Sequence, residues 1–145
     1  MKVFFICFSI YCTCCFLSCR SGQVNDGELL AIQDSIAIKV SNWTKLAENG
    51  RFKELSETRQ DLERFVDLSL PKVQRLHGKE LQQQVLHHLE YLQAASPDIL
   101  KPFEQLTHNS DNKEISSLAD KINNFSKEEE RINVRMDHIR IKLLR

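Results

Sequence analysis

Cysteine is missing from everything beyond residue 19: all five, Cys7, Cys12, Cys14, Cys15 and Cys19, fall in the first nineteen positions of the 145-residue chain. The part that folds therefore has no disulfide framework and no thiolate metal site to draw on. The crowded Cys12-Thr13-Cys14-Cys15 is flanked by apolar residues with no histidine nearby, and Cys15-Phe16-Leu17-Ser18-Cys19 has neither the spacing nor the following histidine of a haem attachment site. A surplus charge of one sign is lacking too. Lys2 is the one charged residue before Cys19, so of 20 basic and 20 acidic side chains the remainder keeps 19 and 20. This near-neutrality argues against a nucleic-acid or anionic-membrane surface built on net charge.

Strand signals are absent, since no alternating Val/Ile/Thr run is closed by hairpin chemistry and the one Asn-Gly pair, Asn49-Gly50, stands at a helix end. Metal chemistry lacks its usual helical signature as well. A di-metal bundle needs Glu-x-x-His pairs, because residues three apart face the same ion, and no histidine here has an acid three residues before it. His77, His87, His88, His108 and His138 are expected in turns or on polar faces, and Met136 in the core register, so no metal, haem or other cofactor is assigned. The serines have no Gly-rich elbow or neighbouring His-acid pair, and no catalytic residue is nominated.

What is present begins at the N-terminus. Met1-Lys2 opens an unbroken apolar run from Val3 to Leu17, which Ser18-Cys19 and the polar Arg20-Ser21-Gly22 close. One positive charge, an apolar stretch of about fifteen residues and a small residue before the cut describe a secretory signal. Phe16-Leu17-Ser18-Cys19 resembles the loose lipobox of bacterial lipoproteins, with Cys19 as the lipidation site. The competing reading is a retained membrane span, since the run approaches the lower length limit for crossing a bilayer. Its extreme N-terminal position and the lack of a Lys/Arg cluster after it weigh against that. The predicted layout is a signal peptide over 1–18, a lipidated flexible tether over 19–26 rich in Ser, Gly, Gln and Asn, and a helical domain over 27–145. Arg20 stands where an Asp would suggest inner-membrane retention, and the tether lacks the early acidic cluster that resembles a surface-export tag, so an outer-membrane anchor facing the periplasm is expected ahead of the cell surface.

Beyond the tether one theme repeats, long amphipathic helices with short breaks. Leu29, Ile32, Ile36, Val40, Trp43, Leu46 and Ala47 make one stripe over a first helix from Glu28 to Asn49, with Asn25 or Asp26 as cap and Asn49-Gly50 as a left-handed stop. A second runs from Phe52 towards His77-Gly78 with a kink expected at Pro71. A third runs from Lys79 to Leu106, with Ser96-Pro97-Asp98 as an N-cap-like bend in its middle. After a polar loop over Thr107 to Asn112, a fourth repeats Ile115, Leu118, Ile122, Phe125, Ile132, Met136, Ile139 and Leu143, capped by Asp111 with Glu114 and broken only by Glu129. Four such helices with short links predict an all-α, up-down-up-down four-helix bundle.

Lys39, Arg59, Ser96 and Glu129 intrude on the apolar seams. In alternating helices the first three lie at similar heights, with Glu129 one to two turns further in, which offers a small anionic-ligand site between helices. The blander reading is that each polar head snorkels past its stem to water. The order of Asn25-Asp26, Ile32-Gln33, Lys39-Val40, Asn49-Gly50, Phe52 and Leu68-Ser69-Leu70-Pro71-Lys72-Val73 resembles a family of small all-helical surface lipoproteins from Bacteroidota and spirochaetes. The resemblance implies a helical lipoprotein and carries no active-site residues. The expected function is a non-enzymatic envelope lipoprotein that meets an envelope protein partner. Ile38, Tyr91, Ile141 and Leu144 are its candidate exposed apolar residues, and no nucleic acid is involved. The alternative is a ligand-binding bundle with a cavity at the Pro71 or Pro97 bend.

Overall fold

The computed structural model describes residues 26–75, 79–106 and 112–145. The signal, Cys19, Asn25, His77, His108 and Asp111 lie outside the described residues. Within them the regular structure is entirely helical, in four long runs with no strand. Helix α1 spans Asp26–Glu48, α2 Phe52–Gln74, α3 Glu80–Ala95, α4 Lys101–Glu104 and α5 Asn112–Leu143. A π turn over Ser96–Leu100 joins α3 to α4 in one continuous helical path.

α1 buries Leu29, Gln33, Ile36, Val40 and Trp43, a stripe at alternating steps of four and three. Its end is set by Gly50 at φ 66°, where Arg51 N–H reaches Leu46 O at 2.9 Å and Gly50 N–H reaches Ala47 O at 3.1 Å. These two bonds satisfy carbonyls the helix leaves free, and the left-handed backbone between them suits a residue without Cβ. Gly50→Ala should cost about 1 kcal/mol, read as a shift in urea midpoint at unchanged slope.

α2 runs through Pro71 without splitting. The missing donor falls in the last turn, where the deprived carbonyl belongs to exposed Asp67, so water can replace the lost bond. The third run handles its proline differently. Pro97 has no N–H, and the helix widens rather than stops, with Lys101 N–H bonding to Ser96 O five residues back. The N-cap role expected of Ser96 is not realised. Its hydroxyl makes no capping bond and turns to a carboxylate on α2.

α1 packs on α2, α2 on α3 and α3 on α5, and α1 also touches α3, which makes α3 the central helix. Ile36, Leu55, Leu89, Leu92, Leu100, Ile132 and Met136 are almost fully shielded from solvent. α5 joins this core through Phe125, Ile132, Met136 and Ile139, whereas Leu118 is buried apart from it. At the other side of the molecule, Phe103 stacks edge-on to Trp43 at 5.5 Å and tilts against Phe52 at 5.9 Å, closing the core where α1 ends and α2 begins. One end of the molecule gathers the starts of α1 and α3 with the ends of α2 and α5. Lys79 lies 3.5 Å from Asp26, Lys142 reaches Glu80 at 2.9 Å, and Gln82 donates to Val73 O at 2.9 Å. Among the described residues no helix is long and apolar enough to cross a membrane.

Candidate functional site

Three polar residues occupy apolar register positions on three helices. Gln33 falls between Leu29 and Ile36, His88 between Val85 and Leu92, and Glu129 between Phe125 and Ile132. They are 1%, 0% and 8% exposed, and the fold brings them together at one height. His88 Nδ1 lies 2.9 Å from Gln33 Nε2 and 3.1 Å from Gln33 Oε1, and His88 Nε2 lies 3.1 Å from both Glu129 carboxylate oxygens. A buried polar group without a partner is costly, and here each supplies what the next one needs.

The direction of these bonds follows from the donors available. A carboxylate only accepts, so the ring donates from Nε2 to Glu129, and with one proton on the ring Nδ1 accepts from the Gln33 amide. Nitrogen NMR of the folded protein at neutral pH should show His88 as the Nε2–H tautomer. A ring protonated only at Nδ1 would contradict the arrangement.

His88 was expected on a polar face and is instead among the most deeply buried side chains. The reason is its register. His87 takes the outward position and is half-exposed beside Glu128 at 3.7 Å, while the next residue must point into the core. Tyr91, one turn on, is half-buried and stacks on Phe125 with ring centres 5.8 Å apart. Burial and the nearby Glu129 and Glu128 carboxylates push its phenol up to about 12. A folded pKa above the unfolded value of about 10 gives stability that is complete below pH 10 and is lost as pH climbs through 12. Tyr91→Phe should abolish that alkaline loss in melts taken across this window.

The second polar network joins α2 to the π turn and α4. Arg59 Nε donates to Glu104 at 2.9 Å, Arg59 Nη1 donates to Glu63 at 2.6 Å, and Ser96 Oγ donates to the same Glu63 oxygen at 2.5 Å. Burial alone would lower the Arg59 pKa, but the hydrogen bonds and charges of Glu104 and Glu63 together outweigh it and hold the guanidinium above its ordinary value.

Of the four residues singled out in the sequence, this network unites Arg59 and Ser96. Lys39 is not part of it. Its ammonium pairs with Asp61 and sits 5.5 Å over the Phe65 ring, a half-buried link between α1 and α2. Glu129 belongs to the His88 network. Arg59 does not snorkel to water, because Glu63 one turn on and Glu104 across the bundle capture it. The sequence reading gives no site role to Glu63, Glu104, Gln33 or His88. For three of them the usable signal was a polar residue at a seam position or an i,i+4 partner for Arg59.

Two concavities border these networks. A groove of about 390 Å³ runs between α1 and α5, lined by Val40, Phe125 and Val134 together with Thr44, Asn133, Glu130 and Asp137, and reaches the edge of Glu129. A smaller cleft of about 220 Å³ lies beside the π turn between Leu62, Glu63, Val66, Leu92, Ser96 and Pro97. No group of three or more His, Cys, Asp or Glu side chains among the described residues is placed to hold a metal ion. No family model, no curated protein and no solved structure matches this chain.

Proposed function

We propose that this protein is a non-enzymatic envelope lipoprotein that acts by contact. Residues 1–18 export it, a lipid on Cys19 anchors it, residues 19–26 tether it, and an up-down-up-down bundle meets a protein partner at the periplasmic face of the outer membrane. The resemblance to small helical surface lipoproteins of Bacteroidota and spirochaetes supports the anchor, and the clustering of helix starts and ends at one tip supports the topology. The observation that carries the contact reading is the division between interior and surface. His88 and Arg59 spend their polar atoms on Gln33, Glu129, Glu63 and Glu104, while apolar Val134 is 50% exposed at the mouth of the α1/α5 groove. An apolar side chain left in water at a groove suits a partner better than a reaction.

Val134→Glu tests this against Ile38→Glu. Ile38 is 60% exposed but lies on the other side of α1 from Val40, at 100° per residue, and so away from the groove. Both variants should keep their stability within about 0.5 kcal/mol. In native gels of solubilised membranes, only Val134→Glu should remove a complex larger than the protein alone. Identical migration of both variants and the parent as monomers would overturn the reading.

A second reading, a small-ligand-binding bundle, rests on the cleft beside the π turn, where Glu63 and Ser96 border apolar walls. Its mark would be a ligand that raises the melting temperature of the parent and has no effect once Val66→Trp fills the cleft.

A further inference from the structure

The tip of the molecule that carries the start of α1 is built unlike the rest. α5 changes character along its length. From Arg131 onward it holds Arg131, Arg135, Arg140, Lys142 and Arg145 against Asp137 alone. Three of these cations are used inside the protein, by Glu128, Asp34 and Glu80. Arg135 and Arg145 have no ion-pair partner among the described residues and line, with His138 and Lys142, a groove against the first turns of α3. Gln84, also in its lining, has its Nε2 buried without a hydrogen-bond partner among the described residues. The last turns of α5 add apolar surface, since Ile141 is 52% and Leu144 87% exposed. Lys72 and Arg75, exposed at the end of α2 and without an ion-pair partner among the described residues, stand at the same tip.

The chain's own connectivity keeps this surface within reach of the membrane. Seven residue steps separate Cys19 from Asp26, a reach of at most about 25 Å when fully extended. α1 with its 23 residues is about 35 Å long, so an anchor at Cys19 confines the start of α1 to within about 25 Å of the bilayer and leaves its end free to lie up to about 60 Å away. Asp26 contacts Lys79 and Glu80 contacts Lys142, so what lies beside the start of α1 is the basic and apolar end of α5.

We infer that this tip docks on the anionic phospholipid surface of the leaflet that holds the N-terminus, with Arg135, Arg145, Lys72 and Arg75 on headgroup phosphates and Ile141 and Leu144 at the acyl boundary. The inference rests on the N-terminal segment being in the membrane, as a lipid anchor or as a retained span. The chain's net neutrality is no obstacle, because headgroups act within a Debye length and read the local charge of the tip. Docking would hold the bundle in one orientation, leaving the α1/α5 groove and its far end to face away from or along the membrane for a partner.

The chain has a single tryptophan, Trp43, and it is buried, so Leu144→Trp adds a reporter at the tip against a quiet background. The full protein purified from membranes is reconstituted into vesicles with brominated acyl chains, made of phosphatidylcholine alone or with phosphatidylglycerol. Quenching of the reporter should be strong in the anionic vesicles, weak in the neutral ones, and reversed by high salt. Arg135→Glu with Arg145→Glu should remove it, since each basic residue strengthens attraction to an anionic surface about fivefold, so the two lost cations alone cost about 30-fold and the two new carboxylates add repulsion. Helical circular dichroism confirms that the charge-reversed protein is folded, both sites being exposed. Equal quenching in both vesicle types, or quenching that survives charge reversal, would overturn the inference. Flotation of the vesicles separates this from failure of the anchor. Protein that floats with an unquenched tip leaves the anchor intact and sinks the docking, and protein that does not float with neutral vesicles sinks the anchor itself.

Discussion

Replacing His88 by leucine should destabilise the folded protein by about 3 kcal/mol. The cost comes less from the lost bonds than from what they leave behind. Glu129 keeps a carboxylate whose side chain is only 10% exposed, without its imidazole donor, and Gln33, 1% exposed, loses the partner of its amide. The groove between α1 and α5 lets water approach one edge of Glu129, which keeps the penalty below the roughly 5 kcal/mol of a fully enclosed orphan charge. Gln33→Leu, His88→Leu and Glu129→Leu combined should recover most of the loss, because an apolar replacement of the whole network leaves nothing unpaired. Urea titrations of the single and triple variants decide it. A single variant that loses under about 1 kcal/mol, with a triple variant no better, would show that the interior is not organised around this network.

A comparable loss, about 3 kcal/mol, is expected for Leu89→Ala. Leu89 is 0% exposed at the middle of α3, the helix that packs against α1, α2 and α5 together. A cavity there removes contacts from every side, and helices held by several neighbours cannot collapse into it. Leu118→Ala makes the contrast. Leu118 is 6% exposed but stands outside the main core, near the start of α5, where Ile115 is already 43% exposed. That turn can settle around the smaller side chain, and about 1 kcal/mol is expected. Equal losses at the two positions would mean that α5 is held along its whole length as firmly as α3.

The seams of α1 and α5 were readable because their apolar residues recur at helical spacing almost without interruption. The stop at Asn49-Gly50 was readable because a left-handed turn needs glycine. The Ser96-Pro97-Asp98 segment misled for a physical reason. The same three residues that start a helix in isolation can sit inside one, provided the turn widens so that Lys101 N–H finds Ser96 O and the serine hydroxyl finds Glu63. His88 was hidden by its neighbourhood. It follows His87 and the run Gln82-Gln83-Gln84, a stretch whose polarity suggests a solvated face, yet Gln82 and His88 both fall on the inward positions. Gln82 finds the end of α2, donating to Val73 O, and His88 finds Gln33 and Glu129. Sequence spacing tells which face of a helix each residue takes. It does not tell the relative height of residues on different helices, and height decides that Glu129 meets His88 rather than Arg59. Lys39 shows the same limit, since its partner Asp61 becomes visible only once α1 and α2 are laid side by side.

The measurement that bears most directly on the account is the intact mass of the protein extracted from its native membrane, taken beside a Cys19→Ala variant. The account predicts a chain that begins at Cys19 and carries a diacylglyceryl group, with both the added mass and membrane retention lost in the variant. An unmodified chain that still holds residues 1–18 would contradict it and make the N-terminal run a membrane span instead.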